Sequence, residues 1–150
     1  MIWEALFAYL HLLAAAACGG LKLAEYWLLA RPPDRLQVRL LGEVRLGYLF
    51  ALIGILATGL VRLDGGPGGP LPDAPNSLFL IKMGLFGALV VLSVASSLTV
   101  LRWTREARSA PNFTLLTRDV DAVRITLHVE LGVLALTALP AVLLARGFGF

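Results

Sequence analysis

Four long apolar segments divide the chain, and shorter polar segments separate them. The apolar segments cover approximately residues 2–29, 45–61, 78–101 and 123–145. A helix needs about 20 apolar residues to cross the hydrocarbon core of a bilayer, and each segment is close to or above that length. Because short connections favour antiparallel neighbours, we predict one all-α domain over residues 1–150, an integral membrane up-down four-helix bundle.

Composition supports a membrane environment. The chain has 150 residues, of which 58% are hydrophobic and 15% charged, and its mean hydropathy is +0.80. Soluble domains typically have about 45–50% apolar and about 25% charged residues. The net charge of +3 comes mainly from arginines between the apolar segments. This distribution favours contact with the lipid bilayer and its anionic headgroups, and argues against nucleic-acid binding.

The arginines also predict an orientation. They lie in the first connection (Arg31, Arg35, Arg39) and in the third (Arg102, Arg105, Arg108, Arg118). Positive residues near the ends of membrane helices favour the cytoplasmic side. We therefore expect these two connections to be cytoplasmic and both termini to be non-cytoplasmic.

A stripe of polar residues runs along the first apolar segment. Glu4, His11, Cys18 and Glu25 are seven residues apart, so they share one face of a helix, and Lys22 joins that face. Ionisable groups in such an apolar helix avoid lipid, and they mark functional sites by default. The stripe should therefore face other helices or a polar cavity.

The predicted topology places His11, Lys82 and Arg62 together in the outer half of the bundle, which is the half on the non-cytoplasmic side of the membrane. A neutral imidazole is a good axial ligand for haem iron, and basic side chains can pair with the haem propionates. The alternatives are a hydrogen-bonded structural histidine at position 11, and side chains at Arg62 and Lys82 that extend to the membrane surface.

A second set of polar residues falls in the inner half: Lys22, Glu25, Arg45, His128 and Glu130. Lys22 and Glu25 are spaced to pair on one helix, and Glu130 should meet a charge on a neighbouring helix. Structural ion pairing and a proton relay are the two interpretations of this set. His128 lies about 10 Å from the level of His11 by helix rise, so the second axial ligand of a haem stays open.

Nearly the whole chain resembles DUF2214, a family of uncharacterised four-helix bacterial membrane proteins. The residues that carry the resemblance are Trp3-Glu4-Ala5, Tyr9-Leu10-His11-Leu12-Leu13, Glu25, Ala57-Thr58-Gly59-Leu60-Val61-Arg62, Leu80-Ile81-Lys82-Met83-Gly84-Leu85 and Ala145-Arg146-Gly147. The family in turn resembles the HemJ-type protoporphyrinogen oxidases and the CopD-like membrane domains. In HemJ-like proteins a histidine of the first helix and a lysine of the third are functional, and haem b is bound. His11 and Lys82 match those positions, and Arg62 matches a basic residue that ends the second helix.

The resemblance implies haem b binding, with His11 as the metal ligand, and less directly the oxidation of protoporphyrinogen. We therefore predict a multi-pass protein of the bacterial inner membrane that acts in electron transfer or porphyrin redox chemistry. One alternative is a cofactor-free accessory subunit that pairs with other membrane subunits or with copies of itself. Another is a small proton or ion conduit through Lys22, Glu25 and Glu130.

Overall fold

A computed structural model of the chain contains four helices in sequence order. They are α1 (Ile2–Leu28), α2 (Arg35–Gly65), α3 (Ser77–Ser109) and α4 (Thr117–Ala145). The structure describes residues 2–65, 77–110 and 113–145, without the side chains of residues 62–65, 141 and 144–145. All four helices are long and apolar enough to span a membrane, and these ranges contain no strand. The predicted all-α four-helix membrane bundle is confirmed.

Three of the helices, α2, α3 and α4, extend beyond the apolar segments that predicted them. α2 begins at Arg35 instead of near residue 45, because Asp34 and Gln37 cap it reciprocally. The Gln37 amide donates to Asp34 Oδ1 at 2.7 Å, and the Asp34 amide donates to Gln37 Oε1 at 2.9 Å. This is the capping-box arrangement, which satisfies amides that have no partner inside the helix. α3 and α4 are also extended by polar turns at their Ser109 and Thr117 ends, which hydropathy alone does not detect.

The bundle consists of two hairpins. α1 packs mainly on α2, and α3 packs mainly on α4. Among the pairs of helices in contact, α1 and α4 share the smallest contact. We call the end that holds the start of α1 and the finish of α4 the terminal end, and the opposite end the connection end. Contacts between the hairpins, such as Lys22 with Glu130 and Arg45 with Ser96, lie toward the connection end. At the terminal end, residues of all four helices surround a cavity instead.

A compact apolar core closes the connection end. We define this connection-end core by its largest buried members, Leu29, Leu41, Trp103 and Leu127. Gly42 lets α2 approach α3 here, because a Cβ at this position would lie 2.5 Å from Thr104 Oγ1. The Thr104 hydroxyl is itself held by the Val100 carbonyl at 2.9 Å, so it has little freedom to move aside.

Two arginines of the connection end bond to the ends of helices in the other hairpin. Arg124 donates from Nη2 to the Leu29 carbonyl, just after α1, at 2.6 Å. Arg35 donates from Nη2 to the Arg108 carbonyl, in the last turn of α3, at 3.3 Å. Carbonyls at a helix C-terminus lack hydrogen-bond donors inside the helix, so these arginines satisfy them. Arg35, one of the arginines of the first connection, and Arg124 of α4 thus join the two hairpins.

The outer surface is apolar. Large side chains such as Phe50, Val91, Leu98 and Ile125 point away from the bundle and are each more than 60% exposed, at 72%, 70%, 66% and 66%. Such a surface suits hydrocarbon as the solvent, because a soluble monomer rarely exposes so much contiguous apolar area. The spans therefore contact the lipid bilayer.

Candidate functional site

Four charged side chains meet inside the bundle, and all four are completely buried. We call Lys22, Glu25, Arg45 and Glu130 the charge network. Lys22 Nζ lies 2.9 Å from Glu25 Oε2 and also contacts Glu130 Oε2. Arg45 Nε lies 2.5 Å from Glu25 Oε1, and Arg45 Nη1 lies 3.3 Å from Glu130 Oε2. Two cations and two anions give the network no net charge, which suits a site that water and lipid do not reach.

Hydroxyl groups of α3 complete the charge network. Ser96 Oγ donates to Glu130 Oε1 at 2.6 Å and accepts from Arg45 Nη1 at 2.9 Å. Next to it, the Tyr48 hydroxyl and Ser93 Oγ are 3.0 Å apart, and Lys22 Nζ stands 3.9 Å from the centre of the Tyr48 ring. These residues were not among those predicted from the sequence. The spacing of Ser93, Ser96 and Ser97 by three and four is the signal that could have placed a polar face on α3.

The geometry of the charge network leaves one donor over. Arg45 Nη2 has no hydrogen-bond partner among the described residues. Arg45 Nε and Glu25 Oε1 are close enough for an ion pair, but they are not aligned as a hydrogen bond. The two groups still attract each other as an ion pair, because charges attract without the strict alignment that a hydrogen bond needs.

Apolar layers border the charge network on two sides. The connection-end core separates it from the connection end. Toward the terminal end, Cys18, Leu52 and Leu89 pack around Tyr48 in a second apolar cluster. A proton pathway needs polar groups or water on both sides, so this packing favours ion pairing between helices over conduction.

His11 is held by the neighbouring helix. Its Nδ1 lies 2.9 Å from Thr58 Oγ1, and the single hydroxyl hydrogen of Thr58 points to the Gly54 carbonyl at 2.6 Å. Nδ1 must therefore donate to the Thr58 oxygen, and the neutral ring then has its lone pair on Nε2. A histidine that binds metal typically donates its other ring N–H in this way, so the hydrogen bond is compatible with a ligand role.

A cavity of about 530 Å³ lies between the two hairpins, toward the terminal end. His11 of α1 and Lys82 of α3 both line it, together with small and apolar side chains from all four helices. Apart from those two residues and Thr137, the described lining is apolar: examples are Ala15, Ile55, Phe79, Phe86 and Leu134. Ligand sites typically measure about 300–1,000 Å³ and combine apolar walls with a few polar groups.

The structure shows where the other residues predicted from the sequence lie. His128 was predicted at the depth of the inner charges, and it does not join the charge network: its side chain is exposed, with Nδ1 2.7 Å from the Arg124 carbonyl and the ring edge-on to Tyr26. Its position two residues before Glu130 turns it to the opposite face of α4.

Arg62 lies in α2, but its side chain falls outside the described residues. Lys82 and His11 reach the same cavity although they come from different hairpins.

No group of three or more His, Cys, Asp or Glu side chains is placed to hold a bare metal ion in the described part of the chain. Comparison with known proteins gives one result: a family model described as "Predicted membrane protein (DUF2214)" matches residues 3–149. No curated protein and no solved structure matches the chain.

Proposed function

We propose that this chain, which belongs to the DUF2214 family of predicted membrane proteins, binds haem b in the cavity between its two hairpins. The observation that carries the proposal is that one cavity of about 530 Å³ is lined by both His11 and Lys82, on apolar walls from four helices. We place the protein in the bacterial inner membrane, where it acts in electron transfer or porphyrin redox chemistry.

The residues of the cavity suit the chemical groups of haem. Porphyrin brings four of the iron's ligands itself, so a single imidazole from the protein suffices to hold it. His11 would bind the iron through Nε2, with Thr58 fixing the ring through Nδ1. Phe79, Phe86 and Leu134 offer the apolar contacts that a macrocycle needs.

Lys82 would hold the acidic side of the cofactor. It is the one formally charged side chain among the described lining residues, and an ammonium pairs well with a propionate carboxylate. Arg62 stays a prediction for the same role. When bound, haem b supplies a one-electron iron couple, and the protein's part is to bind it, orient it and keep bulk water from it.

Visible absorption of the purified protein tests this function. After expression with ample haem, we expect the wild-type protein to show a Soret band, and His11→Ala to lose it because the iron has no other described imidazole in the cavity. Far-UV circular dichroism serves as the folding control. A folded wild-type protein without a Soret band would contradict the proposal.

That contradicting result would favour the alternative of a cofactor-free accessory subunit. One observation already fits this alternative: the charge network joins α1, α2 and α4 without needing any ligand. Its partners would be other membrane subunits or further copies of the chain. The apolar layers around the charge network make the conduit the least supported of the three functions.

A further inference from the structure

The cavity is open on one side, which a closed cofactor site would not require. The hairpins meet near the charge network, and toward the terminal end their helices surround the cavity instead of packing together. On α1, Gly19 lines the cavity, and a Cβ added to it would meet nothing within 4 Å. On α4, Ala135 lines the same cavity and is exposed.

Several residues that line the cavity are exposed. Leu23 of α1 is 55% exposed, and Leu60 of α2 and Met83 of α3 are 55% and 39% exposed. These side chains belong to helices long and apolar enough to span a membrane, so an opening beside them would face hydrocarbon. Small residues at the cavity wall leave the space between the hairpins wide. They are Ala15, Gly19 and Ala135.

We infer that the cavity is loaded sideways from the bilayer, and that its ligand is a membrane-dissolved amphiphile with a flat or elongated apolar body and a carboxylate head. The apolar walls accept the body, and Lys82 pairs with the head. The identity of the ligand as haem b rests on the function proposed above, whereas the sideways route does not.

Spin labelling in nanodiscs tests the route. A nitroxide is attached to a single cysteine at Ala135→Cys, in a Cys18→Ala background, in nanodiscs of phosphatidylcholine and phosphatidylglycerol. Ala88→Cys is the matched control, because Ala88 is an exposed α3 residue at similar depth that does not line the cavity. Collisions with oxygen report contact with hydrocarbon, and collisions with a water-soluble nickel chelate report contact with water.

Without haem, we expect both labels to collide readily with oxygen and rarely with the nickel chelate. Adding hemin should reduce oxygen collisions and mobility at position 135 by severalfold and leave position 88 unchanged. Frequent nickel collisions at position 135, or collisions with neither reagent, would overturn the sideways route.

The two proposals fail in different ways. If hemin produces no Soret band, the haem function fails, while the oxygen and nickel pattern still decides whether the cavity opens to lipid. If hemin binds through His11 but leaves the label at position 135 unchanged, the sideways route is wrong and the haem function stands. Circular dichroism of the Cys18→Ala protein ensures that the replacement of this buried thiol has not unfolded it.

Discussion

Replacing Glu130 with alanine is expected to destabilise the folded protein by roughly 3–5 kcal/mol, the cost of breaking a buried ion pair. The carboxylate contacts Lys22 and Arg45 and accepts from Ser96, and all of these groups are buried. Its removal would leave two cations facing one carboxylate in an apolar site. Titration of mixed micelles with denaturing detergent, followed by far-UV circular dichroism, measures the loss.

The control for this prediction is Val129→Ala. Val129 is the neighbour of Glu130 on α4, and its side chain is exposed on the lipid-facing surface, so truncation there should change the free energy of unfolding little. Equal losses in the two variants would show that the charge network contributes nothing beyond packing.

A charge-balanced replacement separates ion pairing from packing. The double variant Lys22→Met, Glu130→Leu removes one cation and one anion and leaves Arg45 paired with Glu25. Because neither remaining charge is uncompensated, the double variant should lose less than the sum of the two single variants. Strictly additive losses would contradict the network as a coupled unit.

Filling the cavity is expected to weaken haem binding strongly. In Gly19→Leu the added side chain would enter the cavity, because Gly19 lines it and nothing stands within 4 Å of its Cβ position. The variant should bind hemin at least about tenfold more weakly, which corresponds to about 1.4 kcal/mol. Hemin titration followed at the Soret band gives the dissociation constant.

Gly20→Leu is the matched control for this prediction. Gly20 also has nothing within 4 Å of its Cβ position, but it is exposed and does not line the cavity. Its leucine should point into lipid and leave the dissociation constant unchanged. The same loss in both variants would mean that the cavity is not the haem site.

The fold was predictable because hydropathy reports directly on membrane spans. The four apolar segments predicted the four helices, but not their ends, since the turns from Arg35 onward and up to Ser109 are polar. Asp34 and Gln37 have the three-residue spacing of a capping box, so the start of α2 could have been predicted from them. Pro32 and Pro33 stand directly before this cap.

The site was predictable in part. Seven-residue spacing placed His11, Cys18 and Glu25 on one face, and the structure turns that face toward the other helices. The sequence could not show which residues of other helices meet them, because that depends on the relative rotation of the helices. Ser96 and Tyr48 were missed for this reason, and the depth that His128 shares with the inner charges does not bring it into the charge network.

The measurement that tests haem ligation most directly is the absorption spectrum of His11→Gly with and without added imidazole. After unbound hemin is removed by gel filtration, His11→Gly should lack the Soret band of protein-bound haem, and free imidazole should restore it by occupying the vacated position as the iron ligand. A Soret band that persists in His11→Gly without imidazole, and does not shift when imidazole is added, would contradict ligation by His11.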